Sequence, residues 1–206
     1  MPRLEGVSDR DAGLGAKIAF FFTKRKLAQM TGLETAGMLE PLRMYAHIPR
    51  LLNAYGKLEQ AEAKLDILSP RQRALAELKS ATTVRCEYCV DLGSQIARQW
   101  GITDEELLAL SNNTADYHNA SCFSDIDKLI LDYATAISRT PVEVTDQLFE
   151  ALRAHFDTPQ LVGLTHVITL GNLRARFNIA LGIGSSGFSG DRVCALPEKQ
   201  PGPGRT

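Results

Sequence analysis

The chain has 206 residues, 44% of them hydrophobic and 23% charged, and a formal net charge of −1. That length supports one domain with a sizeable core, and the near-neutral balance argues against nucleic acid as the main partner. Four cysteines are too few for a disulfide scaffold, no secretory signal opens the sequence, and the apolar run Ile18-Ala19-Phe20-Phe21-Phe22 stops at Lys24-Arg25-Lys26, far short of a membrane span. A cytoplasmic protein with no membrane partner is expected.

The elements read as helices almost throughout. Residues 15–30 form a candidate helix with a basic end, and 33–46 a second, interrupted by Pro41. His47-Ile48-Pro49 marks a turn, with Pro49 suited to the first position of the next helix. Ser69-Pro70-Arg71-Gln72 combines an N-cap Ser, a first-turn Pro and a Gln three residues after the cap, predicting a helix to about residue 80. Residues 80–85 read as a break and a new start, giving a cysteine helix over 84–99. Thr103-Asp104-Glu105-Glu106 is a capping box for a short helix through Leu110, and 112–121 looks like a polar loop. Ser124 caps a helix ending before Thr140-Pro141, Thr145 caps another through His155, and Thr158-Pro159 opens a long last one to Leu181. Residues 1–185 are read as a single all-helical domain, and the Gly/Ser/Pro-rich 186–206 as a flexible tail. No alternating strand of useful length appears, so the fold class is all-α.

A weak internal echo accompanies this order. Ser69 and Ser124 lie 55 positions apart, as do Thr103 and Thr158, and each is read as opening a helix. At the same offset Leu75 matches Ile130 and Glu77 matches Asp132, while Cys86 and Cys89 fall on Pro141 and Val144.

Cys86-Glu87-Tyr88-Cys89 is the place where residue types and spacing together imply chemistry. Thiols three positions apart share a helix face and can close into a disulfide and reopen. Near a helix start, unpaired N–H groups and the dipole stabilise a thiolate, and Arg85 adds a cation. A reversible redox pair is the favoured reading; a zinc knuckle or two ordinary buried cysteines are the alternatives. His118 and Cys122 complete a conceivable three-cysteine, one-histidine zinc set, although a capped helix separates its halves. His166 lies in an apolar helix as an interior histidine or a proton relay, and His155 near a helix end complements the dipole. Arg174 and Arg176, flanked by Asn172 and Asn178, are candidates for anion binding or interface pairing, on different helix faces. Phe20-Phe21-Phe22 reads as a packing surface for the bundle or a neighbouring subunit, ahead of a membrane-surface role. Cys194 is a lone cysteine of the tail or an extra resolving thiol.

The stretches Ser69-Pro70-Arg71-Gln72-Arg73, Cys86-Glu87-Tyr88-Cys89-Val90-Asp91 and Gly101-Ile102-Thr103-Asp104-Glu105-Glu106-Leu107 resemble the carboxymuconolactone decarboxylase / alkyl hydroperoxidase D-like superfamily, in its Cys-x-x-Cys branch. His47-Ile48-Pro49-Arg50-Leu51-Leu52 and the segment from Asn172 to Asn178 resemble its flanking pieces, so the likeness covers roughly residues 40–185. The resemblance implies a helical bundle assembled into trimers or hexamers. It also implies a thiol-dependent peroxidase without a cofactor, acting on a small hydroperoxide and recharged by an external thiol reductant. Cys89 would attack the peroxide and Cys86 would resolve it. Two positions depart from the pattern: Ala74 and Gly93 stand where the family has a Glu twelve residues before the first cysteine and a His four after the second. Glu77, one turn beyond Ala74, is the candidate replacement for the carboxylate, while Glu87 and Asp91 point away from Cys89. Two other classes stay in view, a non-catalytic redox-sensing helical oligomer and a decarboxylase or isomerase of small lactone acids.

Overall fold

The computed structural model describes residues 2–111 and 116–195, which form helices and connecting turns with no strand among them. In chain order the helices are α1 (Leu14–Thr31), α2 (Glu40–Tyr45), α3 (Pro49–Ala63), α4 (Pro70–Val84), α5 (Glu87–Gln99), α6 (Asp104–Ser111), α7 (Asp116–Asn119), α8 (Asp125–Ser138), α9 (Asp146–Arg153) and α10 (Thr158–Ala180). The all-α class expected from the sequence is the one observed.

Three helices starting at one end of the molecule organise the rest. α4 and α8 both begin with reciprocal capping boxes. Ser69 Oγ accepts the Gln72 N–H at 3.2 Å while Gln72 Oε1 accepts the Ser69 N–H at 2.9 Å, and Ser124 and Asp127 repeat the exchange at 3.2 and 3.0 Å. α10 lies along α4 in the same direction, because Gly163 packs on Ile67, Asn172 bonds Ser80, and Asn178 reaches Cys86. Their shared interior is apolar and closed, with Leu75, Ile130, Leu131, Leu164 and Ile168 wholly buried. Polar groups buried there bond across the helices: Asn172 Nδ2 donates to Ser138 Oγ at 3.0 Å and to Ser80 Oγ at 3.3 Å, while its Oδ1 has no partner among the described residues.

Arg71 joins three of these helix starts. Its guanidinium donates to both carboxylate oxygens of Asp127, at 3.3 and 3.0 Å, and to Glu106, whose own carboxylate accepts the Thr103 N–H at 2.7 Å. Burial alone would raise the pKa of Glu106 and Asp127, but the bonds from Arg71 and from their caps more than offset it and hold both below the usual carboxylate range.

Several expectations are corrected by local chemistry. The helix expected over 33–46 shrinks to α2 because Pro41 occupies its first turn, and the preceding residues form turns such as Met38 N–H to Thr35 C=O. α4 runs to Val84 rather than residue 80, since burial of Ser80, Ala81 and Thr82 outweighs weak helix propensity. Within the loop expected over 112–121, residues 116–119 form α7, while 112–115 lie outside the described residues. Asp157, not Thr158, caps α10, accepting the Gln160 N–H at 2.8 Å. The 55-residue echo thus holds for the serine caps and fails for the threonines. The expected tail from 186 is packed as far as Ala195, with Phe188 0% and Ala195 1% exposed, and its remainder, 196–206, lies outside the described residues.

Replacing Arg71 with Met keeps the stem and removes the clamp, leaving two carboxylates against each other. Because the guanidinium side chain is 34% exposed, the loss is scaled down to about 2 kcal/mol from that of a fully buried pair. Depressed carboxylates contribute stability that is fully present above their unfolded pKa and lost as pH falls through the folded one. Thermal melts should therefore show the full deficit of Arg71→Met near pH 7 and a shrinking one as pH drops below about 4.

Candidate functional site

α4 ends and α5 begins across only two residues. Arg85 adopts a left-handed conformation, φ 65° and ψ 41°, and its N–H and that of Cys86 return to the last carbonyls of α4. Cys86 is consequently the N-cap of α5 rather than a member of its first turn as expected from the sequence, and the helix starts at Glu87 instead of residue 84. Cys89 is the third helical residue. Its N–H donates to Cys86 Sγ at 3.2 Å, so the sulfur sits where a capping Ser or Asp oxygen would. The two sulfurs are joined as a disulfide with Cα atoms 5.2 Å apart. Cys86 is fully buried, whereas Cys89 is half-buried and is the more exposed of the two.

One polar side chain from another helix reaches the pair. Asn178 of α10, 3% exposed, directs its Nδ2 at Cys86 Sγ (3.8 Å) and Cys89 Sγ (3.6 Å). Its Oδ1 is buried and has no hydrogen-bond partner among the described residues. Beside it, Phe177 stacks on Tyr45 at 4.3 Å, and Tyr45 stacks on Tyr55 at 4.4 Å, closing the apolar cluster that contains both cysteines. One turn back on α10, Arg174 donates to both oxygens of Glu59 at 2.7 and 2.8 Å and also to Glu62. Glu77 belongs to this charged group, with Oε1 3.8 Å from Arg73 Nη2. Burial pushes the Glu77 carboxyl up to about 7, with Arg174 pulling it down and Glu62 pushing it further up. No described hydrogen bond joins Glu77 to either sulfur. It lies one turn before Ala81, whose carbonyl accepts the Cys86 N–H at 3.0 Å.

α5 is held on another face by the chain after α10. Asp91 accepts from Ser185 Oγ (2.7 Å) and from the N–H groups of Ser186, Phe188 and Ser189 (3.0, 3.0 and 2.8 Å). Burial would raise its pKa, but these donors hold it below the ordinary range. Ser94 accepts the Ala195 N–H, Gln95 donates to Ser189 and Arg98 to the Val193 carbonyl. Cys194, expected in a free tail, is half-buried against Ser94 Oγ at 3.4 Å.

The remaining candidates fall elsewhere. His166 is half-buried on α10. It is three turns before Asn178, about 18 Å of helix rise, too far for a direct relay. His118 Nε2 lies 2.9 Å from Asp132 Oδ1, which also accepts from Tyr117 Oη, in a polar cleft of about 240 Å³. Cys122 packs beside the main core, and among the described residues no group of three or more His, Cys, Asp and Glu could hold a metal. His155 follows α9. Arg176 donates to the Ser138 carbonyl at the end of α8, so the two arginines do face different ways. Ala74 is buried, and a Cβ at Gly93 would press on Leu78, meeting its Cδ2 at 3.1 Å, so Leu78 would have to give way slightly.

Comparison with known proteins gives this arrangement a family context. The sequence profile of the carboxymuconolactone decarboxylase family matches residues 49–122. The uncharacterised Escherichia coli protein YnjA is 39% identical over 168 residues, covering 79% of this chain and 85% of YnjA. Among solved structures, the alkylhydroperoxidase AhpD core of an uncharacterised peroxidase-related protein from Ralstonia eutropha superposes with a TM-score of 0.70 at 19% identity, over 91% of this chain and 94% of that one. A cysteine-to-alanine variant of the debrominase Bmp8, in complex with 2,3,4-tribromopyrrole, superposes with a TM-score of 0.68 at 15% identity, over 86% and 92% of the two chains. At these identities the superpositions speak for the fold.

Because Leu78 fills the space beside Gly93, a side chain there has to displace it from a core in which it is 1% exposed. Gly93→His alone should lower the melting temperature, by an overpacking cost of about 1–3 kcal/mol. Combined with Leu78→Ala, the loss measured by denaturant unfolding should be smaller than the sum of the two single losses.

Proposed function

The chain belongs to the carboxymuconolactone decarboxylase / alkyl hydroperoxidase D-like superfamily, and we propose that it is a thiol-dependent peroxidase working through Cys86 and Cys89. The observation that carries this reading is the disulfide between a buried N-cap cysteine and a half-exposed cysteine one turn on. A hydroperoxide reaches Cys89 first. The Cys89 thiolate attacks the terminal peroxide oxygen, the O–O bond breaks, the alcohol leaves with a proton, and the sulfur becomes a sulfenic acid. The Cys86 thiolate then attacks that sulfur, forming the S–S bond as hydroxide leaves and is protonated to water. Two external thiols restore the pair and carry away its two oxidising equivalents as their own disulfide. Glu77 is proposed as the proton acceptor, since its carboxyl titrates near neutrality on the turn of α4 that precedes the Cys86 anchor. A cytoplasmic setting, where reduced thiol carriers are present, suits this cycle. The filled space at Gly93 favours one second reading, a redox-sensing oligomer that forms the disulfide without efficient turnover.

With Cys122 and Cys194 replaced by Ser, mild peroxide should remove two titratable thiols, and dithiothreitol should return them. Consumption of an organic hydroperoxide should be abolished by Cys89→Ser, while Cys86→Ser stops at a sulfenic acid. Glu77→Gln should slow turnover about 100-fold near pH 7 and flatten the rise in rate through that region. Reversible thiol loss without hydroperoxide turnover supports the sensor, and turnover of a brominated arene instead moves the assignment toward the chemistry named for Bmp8. Thiols that stay titratable where a control dithiol protein oxidises overturn both redox readings.

A homo-oligomer, trimer or hexamer, is also proposed. Leu14, Ile18, Phe21 and Phe22 of α1 are 78%, 50%, 61% and 64% exposed, and Val162 and Leu173 of α10 are 64% and 45% exposed. Light scattering at low micromolar concentration should give a multiple of 22.6 kDa; the monomer mass itself contradicts the proposal.

A further inference from the structure

Asn178 stands in the last turn of α10, two residues before its end at Ala180, yet its side chain is buried. Asn has weak helix propensity, and a buried amide needs partners for two donor hydrogens and an acceptor oxygen. In α10 it is 3% exposed, Nδ2 faces both sulfurs, and Oδ1 has no partner among the described residues. The direction of the amide follows from the oxidised pair. Disulfide sulfurs carry lone pairs and no hydrogen, so only the N–H end can face them favourably.

We infer that Asn178 is a positioning residue for thiol exchange, its amide N–H holding Cys86 Sγ as that sulfur departs as a thiolate. The inference rests on the reading of Cys86 and Cys89 as a working redox pair. Cys89 is the more exposed of the two cysteines, so a reductant thiolate attacks its Sγ. The S–S bond breaks, a new bond joins the reductant to Cys89, and the electron pair leaves on Cys86. A second thiol of the same class then attacks the mixed disulfide, releasing Cys89 and completing the two-electron reduction. At the moment of departure Cys86 is fully buried and has two donors aimed at it, the Cys89 N–H at 3.2 Å and the Asn178 amide at 3.8 Å. The first is fixed by the helix start; the second is a side chain that the sequence supplies. When the reduced pair carries a thiol hydrogen, rotating the amide about χ2 brings the unpartnered Oδ1 round to accept it. One residue thus matches both states of the sulfurs, which accounts for its buried, half-satisfied amide.

The test uses the full chain with Cys122→Ser and Cys194→Ser, adding Asn178→Ala or Asn178→Asp. Arg85, Glu87, Asp91, Glu77 and Arg174, the charged groups on the neighbouring turns, stay unchanged. In a Cys89→Ser background, absorbance titration of the Cys86 thiolate should show its pKa rising by about one unit in Asn178→Ala, a tenfold loss of thiolate, and further in Asn178→Asp. Opening of the disulfide by dithiothreitol should slow about tenfold. A purely structural role would lower the melting temperature and leave the thiol titration of the folded protein in place. Should either substitution prevent folding, the unmutated chain still answers by NMR. The Asn178 side-chain amide resonance should shift on reduction and titrate together with Cys86. An unchanged thiol pKa and opening rate in the folded variants, or an amide resonance blind to redox state, overturns the inference while leaving a cycling pair intact. A pair that never cycles in the parent chain overturns the functional reading beneath it.

Discussion

Arg85 sits at φ 65°, a region where a side chain crowds its own backbone at a cost of about 1 kcal/mol. Its position in the chain explains what that cost secures. With α4 running to Val84 and α5 starting at Glu87, a single left-handed residue turns the chain so that the next one becomes an N-cap. Leu78 then meets Gly93 across the junction, each the same distance along its helix from the turn. Had the junction been longer, Cys86 would sit in a loop with its sulfur free to rotate. Here its backbone N–H is held by Ala81 and its sulfur by the Cys89 N–H, so both ends of the residue are fixed by contacts other than the disulfide itself.

Two further elements keep that junction from shifting. α10 approaches through Asn178, placed by the Asn172–Ser80–Ser138 network that locks α10 to α4 and α8 less than two turns earlier. The strap after α10 approaches α5 from another face and spends its backbone N–H groups on Asp91, two residues past Cys89. Phe188 completes that contact, meeting the Tyr88 ring edge-on at 5.6 Å, while Tyr88 Oη donates to the Met38 carbonyl at 2.6 Å. α5 is thereby fixed along its length, with Cys89 only half-buried beside the fully buried Cys86.

Much of this was legible in the sequence because it is local chemistry. Ser69 with Gln72, Thr103 with Glu106, and Ser124 with its following helix announce themselves through residue types at fixed spacing, as does the cysteine pair. What stayed hidden depends on contacts between distant segments. Nothing near residues 80–84 declares that burial will carry α4 past a β-branched run, and so the cysteine was placed inside a helix instead of at its cap. The strap was read as a tail because Gly184, Ser185, Ser186 and Gly187 resemble linker. Only Asp91, nearly a hundred residues earlier, supplies their order. Asn178, a polar residue in the last turn of α10, is ordinary for its position, and nothing near it in the sequence says what it touches. Glu77 was singled out for its helix face, and that argument could not foresee the two arginines and two further carboxylates around it.

That surrounding charge decides where a proton resides. Glu59, Glu62 and Glu77 face Arg73 and Arg174, three negative charges against two positive ones in a largely dehydrated cluster. Removing water makes the uncompensated charge costly, and taking up one proton is the simplest way to cancel it. Glu77 has the weakest pairing of the three. Glu59 holds Arg174 through both oxygens, and Glu62 takes a direct bond from the same guanidinium, whereas the nearest recorded cation to Glu77 is Arg73 at 3.8 Å. Burial and the neighbouring carboxylates push the Glu77 carboxyl up to about 7, even though its side chain is still 24% exposed. Its helix turn leads to Ala81 and the Cys86 N–H, and the turn that carries Arg174 leads to Asn178 and the sulfurs. In the peroxidase reading, an exchangeable proton thus resides on α4 at Glu77, one turn before the Ala81 carbonyl that anchors the Cys86 N–H, in a chain that has Ala74 and Gly93 where the resemblance leads one to expect Glu and His.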